Sequence, residues 1–161
     1  MLKILVLYHS RGGNTRKLAE KIVAGIEAQG AIAILKSTDE VVKDDFLVAA
    51  GIIAGSPVYF GGMAAELKKV FDDFVGLRKK MENKVGAAFA TSGHHTGGKE
   101  TTIMSIIHCM MIYGMIVVGD PLHASGHYGV ACLGEPDAGA ADDAEKLGYR
   151  VAELATRIGR E

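Results

Sequence analysis

The chain has 161 residues, a length that suits one domain, expected over 1–161, with enough interior for a sizeable core. Its 18 basic and 19 acidic residues leave a formal charge of −1, which offers nucleic acid or anionic lipid no electrostatic hold. Apolar residues make up 48%, a globular proportion that argues against wholesale disorder.

The first element is a near-continuous apolar strand, Leu2 to Tyr8, as expected when a strand is covered on both faces. A helix follows over Asn14 to Ala28, with Leu18, Ile22 and Ile26 at i, i+4 and i+8, and Gly30 ends it. Ala31 to Leu35 is a second strand, and Val48 to Gly55 holds a third. Gly62 to Met81 reads as one amphipathic helix with Leu67, Val70, Phe71 and Phe74 on a single stripe. Lys84 to Thr91 is a fourth strand, and Gly98 to Tyr113 a helix. Met115 to Val118 begins a fifth strand that resumes around Val130 to Leu133, and Ala140 to Ile158 closes the chain as a helix. Strands and helices alternate throughout, which predicts an α/β fold, a doubly wound sheet of five parallel strands.

No stretch reaches the ~18 continuous apolar residues of a membrane span. The short apolar run Ile4 to Tyr8 lacks the form of a secretion signal. Cys109 and Cys132 lie apart with no C-x-x-C pattern, so they read as small buried side chains in a reducing, cytoplasmic setting.

In a doubly wound sheet ligands bind beyond the carboxyl ends of the strands, where the strand order reverses. Three loops lie there. The first, Ser10-Arg11-Gly12-Gly13-Asn14-Thr15, joins a strand directly to a helix. Free amides at a helix N-terminus, glycines that let the backbone curl and hydroxyl side chains together suit a phosphate, although the same residues also serve as ordinary caps. The second, Ser56 to Gly62, places Tyr59 and Phe60 side by side after Pro57, where they either flank a flat ring system or cap the core. The third, Thr91 to Gly98, combines three glycines with polar side chains and suits the edge of a heterocycle.

Two other readings compete. Gly93 to Lys99 satisfies G-x-x-x-x-G-K, but Glu100 stands where a nucleotide-hydrolysing loop needs a hydroxyl for magnesium. A receiver domain needs acids at the strand ends, and here those ends are His9-Ser10 and Ser56-Pro57. Adjacent His94 and His95 have no carboxylate or thiol at ligand spacing, so no metal site is assigned.

S-R-G-G-N-T resembles the phosphate loop of flavodoxins. S-P-V-Y-F-G-G with M-A-A-E-L-K-K-V-F-D-D-F, T-S-G-H-H-T-G-G-K-E-T-T, and G-H-Y-G at Gly126 to Gly129 resemble the tryptophan-repressor-binding-protein family of flavodoxin-like NAD(P)H:quinone oxidoreductases. The similarity runs in order along nearly the whole chain. It implies a flavodoxin-like strand order 2-1-3-4-5 and FMN as cofactor, with NAD(P)H as a transient electron donor. By the same resemblance Ser10, Arg11, Gly12, Gly13, Asn14 and Thr15 hold the FMN phosphate. Pro57, Val58, Tyr59, Phe60 and Gly61 line its ring, with Thr91, Ser92, Gly93, His94 and Gly97. His94-His95-Thr96 replaces a more glycine-rich stretch of that family, and the chain is shorter than its quinone-reducing members, lacking a segment that shapes their substrate site.

Two functions follow. One is an enzyme passing two electrons from NAD(P)H to a quinone-like acceptor, for which the cofactor supplies the chemistry and no catalytic side chain is assigned; His94, His95, His127 and Tyr128 are its candidate substrate contacts. The other is an electron carrier docking on redox proteins. The three loops contain no Asp or Glu but do contain Arg11, His94 and His95; such surroundings stabilise a negatively charged reduced cofactor and favour the enzyme. The helix from Ile103 to Ile112 is apolar on almost every face, which predicts burial on all sides and a homo-oligomer formed through it.

Overall fold

A computed structural model describes residues 1–159. Strands β1 (Lys3–Tyr8), β2 (Ile32–Ser37), β3 (Gly51–Pro57) and β4 (Val85–Ser92) are followed by two short ones, β5 (Ile116–Val117) and β6 (Ala131–Leu133). All pair in parallel, in the order β2-β1-β3-β4-β5, with β6 also on β4. This is the expected doubly wound order. The edge place beside β4 is shared: β5 pairs with Val85 and Gly86 at its start, and β6 with Ala90 to Ser92 at its end. The interruption between Val117 and Ala131 carries the loop 118–130, as the two apolar fragments of the sequence predict.

The helices are α1 (Asn14–Ala28), α2 (Lys43–Val48), α3 (Ala65–Asp73), α4 (Arg78–Met81), α5 (Lys99–Ile112) and α6 (Ala138–Ile158). Strand side chains alternate between two cores. Ile4, Val6 and Tyr8 face α1 and α6; Leu5 and Leu7 face α2, α3 and α5. α1 and α6 cross at backbone contact. A Cβ on Gly25 would lie 1.9 Å from the Glu145 carbonyl oxygen, and one on Gly148 would lie 2.2 Å from that of Ile22.

Two elements differ from expectation. Lys43–Val48 is a helix just before the third strand, which starts at Gly51 rather than Val48. Six residues with only Phe46 buried carry too little periodicity to be seen in a sequence. Lys84 holds this helix from a distance, donating through Nζ to the carbonyls of Phe46 (2.9 Å) and Leu47 (2.8 Å), the favourable end for a cation. Burial in that position pushes the Lys84 ammonium below its ordinary pKa.

The expected helix over Gly62–Met81 is three pieces. Gly62 belongs to a hairpin, α3 ends at Asp73, and a 3₁₀ turn (Val75–Leu77) leads into α4. Phe74 turns inward at the break to meet Phe46 edge-on at 5.2 Å, and Gly76 beyond it is a poor helix former.

Within one chain the end of the helix from Ile103 to Ile112 is left uncovered, as a contact with a second copy requires. Ile103, Ile106, Ile107 and Met110 are buried, but Met111 is 63% and Ile112 61% exposed. The 118–130 loop packs instead on α6, where Arg150 donates to the Asp120 carbonyl (2.6 Å) and Lys146 to that of His123 (3.1 Å). Of the two thiols Cys132 is buried and Cys109 partly so. Burial raises both, Cys132 to about 11, so both stay protonated and unreactive at neutral pH.

Candidate functional site

β1, β3 and β4 end side by side, and the loops that follow them are tied to one another. The Thr15 and Thr91 hydroxyls share a buried hydrogen bond of 2.8 Å, joining the first loop to the third. The Val58 N–H donates to the Thr91 carbonyl at 2.8 Å, joining the second to the third. Gly61 lies against Gly98, where an added Cβ on Gly98 would come 2.9 Å from the Gly61 Cα. The sequence-derived set therefore forms one cluster.

In the first loop Ser10 Oγ accepts from the Gly13 N–H at 3.1 Å. Gly13 has φ 98° and stands as the N-cap of α1, a conformation that favours glycine. No side chain caps the helix and its first turn holds no acid. An added Cβ on Gly12 or Gly13 would meet nothing within 4 Å. The loop thus leaves the N-terminus of α1 without a side-chain cap, with open space beside its glycines and Arg11 exposed, a donor set that fits a phosphate.

The second loop is a tight hairpin. Tyr59 and Gly62 exchange both backbone hydrogen bonds, at 3.0 and 3.1 Å. Phe60 (φ 50°) and Gly61 (φ 74°) occupy the turn, both in the left-handed region of a type I′ turn. A phenylalanine is costly there, and its ring is fully exposed at the tip. Ser56 fixes the return of the chain: its Oγ donates to the Pro57 carbonyl (2.7 Å) and accepts from the Ala64 N–H (2.8 Å). Ser105 on α5 accepts from the Met63 N–H at 3.1 Å. Tyr59 is half-buried, with the Arg11 guanidinium 5.6 Å from its ring centre, a cation–π arrangement.

The third loop is held by its own polar atoms. Ser92 Oγ donates to the His94 carbonyl at 2.7 Å, and His94 Nδ1 lies 3.0 Å from Thr96 Oγ1. A Cβ on Gly97 would come 2.5 Å from Ser92 Oγ. Thr91 and Ser92 are buried, while Gly93, His94 and His95 are exposed. Between the open amides of the first loop, the Tyr59 hairpin and the exposed backbone of the third, the residues fit a phosphorylated planar cofactor.

His127 and Tyr128 lie on the 118–130 loop. Tyr128 lines a cavity of about 440 Å³ with Glu100, Thr101, Met104 and His108. Two acids hold this loop, Asp120, which the sequence offered only as a possible metal-binding acid of a nucleotide-hydrolysing loop, and Asp143, which it did not single out. Asp120 Oδ2 accepts from the Gly129 N–H at 3.1 Å, and Asp143 accepts from the Ser125 N–H and hydroxyl. Burial raises the Asp120 carboxyl above the usual carboxylate range. His9, Thr38 and Glu66 were also missed as a group. His9 Nδ1 lies 3.0 Å from Thr38 Oγ1, and its Nε2 3.7 Å from Glu66 Oε2. Only the position of His9 at the end of the first strand hinted at it; Thr38 and Glu66 come from elements whose approach no spacing reveals.

Sheet order and loop cluster together define the class: a flavodoxin-like, FMN-binding α/β protein. The architecture is similar to that of a flavodoxin from the domain Archaea (TM-score 0.81, 28% identity, 96% of this chain and 99% of that one). A WrbA-like flavodoxin from Agrobacterium tumefaciens superposes with TM-score 0.82 at 25% identity, over 98% and 99%. Residues 38–129 match the model of the NADPH-dependent FMN reductase family. The chain is 38% identical to a flavodoxin of Aquifex aeolicus, over 95% of this chain and 86% of that protein. It is 34% identical to an NAD(P)H dehydrogenase (quinone) of Archaeoglobus fulgidus, over 98% and 100%. The chain belongs to the NADPH-dependent FMN reductase family of flavodoxin-like oxidoreductases. Among the described residues no helix is long and apolar enough to cross a membrane.

Proposed function

We propose that the protein is an FMN-dependent NAD(P)H:quinone-type oxidoreductase, a single domain over 1–161 acting in the cytoplasm on a small quinone-like acceptor. Its cofactor-binding set is Ser10 to Thr15, Pro57 to Gly61, Thr91 to His94, and Gly97. Bound there, FMN would supply reversible two-electron chemistry. The chain's own part is to bind and to tune. The α1 amides and Ser10 grip the phosphate, the Tyr59 hairpin and the Thr91–Gly97 backbone hold the ring, and Phe60 shields its approach.

One observation carries the reading beyond binding. None of the three loops contains a carboxylate, Arg11 lies over Tyr59, and the α3 acid nearest them, Glu66, lies beside an imidazole. Such surroundings favour a negatively charged reduced cofactor and hence two-electron use. The deciding experiment mixes FMN-loaded protein anaerobically with NADH or NADPH and follows flavin absorbance. Rapid bleaching supports the enzyme; absence of bleaching, with a stable one-electron-reduced form during dithionite titration, supports a carrier.

The carrier is the second reading, with a redox protein as partner; the likeness to a flavodoxin of Aquifex aeolicus, 38% identical over 95% of this chain, supports it. We also propose a homo-oligomer through the Ile103–Ile112 helix, supported by the uncovered Met111 and Ile112 at its end; sedimentation as a monomer at micromolar concentration would remove that proposal.

A further inference from the structure

One polar atom beside the site has no partner. The His9 side chain is 12% exposed. Its Nδ1 is bonded to Thr38 Oγ1, while Nε2 is buried without a hydrogen bond, a costly state for a ring nitrogen. Glu66 Oε2 is 3.7 Å away, and its side chain is 43% exposed, so a small rotation brings it into hydrogen-bond range. The same imidazole meets Tyr59 edge-on, ring centres 6.4 Å apart at 71°, and Tyr59 in turn meets Arg11. Three pieces of chain therefore converge on His9 at the end of β1: the residue after β2, the first turn of α3 and the hairpin of the second loop. Among the described residues Glu66 has no other cationic neighbour within ion-pair distance.

We propose that His9 is a positioning residue that takes up the Glu66 carboxylate, so that this negative charge is not presented to the ring side of the site. The inference rests on the FMN reading above. With His9 gone, Glu66 loses the imidazole that stands between it and Tyr59 in the chain of contacts, and a negatively charged reduced cofactor is disfavoured relative to the neutral oxidised one. A purely structural role for His9 predicts weaker binding of both forms alike.

The test measures affinity of the intact protein for oxidised and for dithionite-reduced FMN. His9→Phe keeps a ring edge against Tyr59. It is expected to weaken reduced FMN about three- to tenfold relative to oxidised FMN. Adding Glu66→Gln to that variant restores the wild-type ratio. Glu66→Gln alone, a change at a partly exposed side chain, moves the ratio by less than about twofold, because the charge is already taken up. A flat ratio in His9→Phe overturns the inference. So does failure of the double variant to restore it, or a single Glu66→Gln effect as large as the one in the His9→Phe background. If His9→Phe does not fold, that last comparison is made in His9→Asn, which keeps the Thr38 bond. Wild-type protein that binds neither form of FMN removes the functional reading and the inference together; wild-type binding with an unresponsive ratio removes the inference alone.

Discussion

On one face of the sheet α1 and α6 touch backbone to backbone through Gly25 and Gly148. On the other, α2, α3 and the end of α5 meet through aromatic rings: Phe46 against Phe71 and Phe74, and Phe71 against Tyr113. The first face is closed by the absence of side chains, although Leu122 and Tyr149 beside that crossing stay exposed. The second is closed by large side chains, and it leaves Met111 and Ile112 uncovered. Glycine contact permits only one spacing between helices, because carbonyl oxygens cannot yield. Ring contact tolerates adjustment, and it is the ring side that carries the hairpin and α5, the elements flanking the site.

The sharpest way to break this contrast is at the centre of the aromatic face. Phe46 is fully buried, and Phe46→Ala is expected to cost about 3–5 kcal/mol in urea unfolding; a cost near 1 kcal/mol would mean that the ring cluster is not the core of that face. On the glycine face Gly148→Ala places a methyl carbon 2.2 Å from the Ile22 carbonyl oxygen. It should lose about 2–3 kcal/mol despite alanine's better helix propensity, and Gly25→Ala should behave alike. A gain in stability at either would show that the helices do not approach so closely.

Tyr113 sharpens the comparison through pH. Its hydroxyl donates to the Phe71 carbonyl at 2.6 Å, and burial pushes the phenol up to about 12 from 10.0. A raised value in the folded state means that the proton is bound more tightly there. The contribution is whole below pH 10 and is lost as pH rises from about 10 to 12, by up to about 2–3 kcal/mol. Tyr113→Phe should cost about 1 kcal/mol at pH 7 and should remove that alkaline slope in unfolding titrations compared with the wild type. Smallest in stability is Met111→Glu, expected within about 0.5 kcal/mol of wild type because the side chain is exposed. If α5 joins two copies, the same change shifts the sedimentation coefficient toward the monomer; an unchanged assembly would mean that its exposed end is ordinary surface.

Much of this molecule is legible along the chain because the signals are local. The apolar runs at Ile4–Tyr8 and Ala87–Ala90 announce buried parallel strands. S-R-G-G-N-T announces a strand-to-helix turn whose amides stay free. The two fragments around Met115–Val118 and Val130–Leu133 announce a split edge strand. What escapes is held by partners far away in sequence. α2 depends on Lys84, some forty residues on. The break after Asp73 follows from Phe74 turning to Phe46. The anchoring of the 118–130 loop by Asp120 and Asp143 needs α6 in place. Phe60 shows the same limit: its proximity to a glycine pair was visible, but not that a hairpin bridge between Tyr59 and Gly62 would set it at φ 50° and face it to solvent.

Residue order alone therefore determined the alternation of elements and the three loops that follow the strands, since periodicity and turn chemistry act over a few residues, while the strand order came from the family resemblance. Only the folded arrangement decided which groups face one another across those loops: the Thr15–Thr91 hydroxyl pair, Arg11 on Tyr59, and His9 between Thr38 and Glu66. Hydrogen bonds and charge interactions fall away within a few ångströms, and distances of that order between remote residues exist only once the layers have packed.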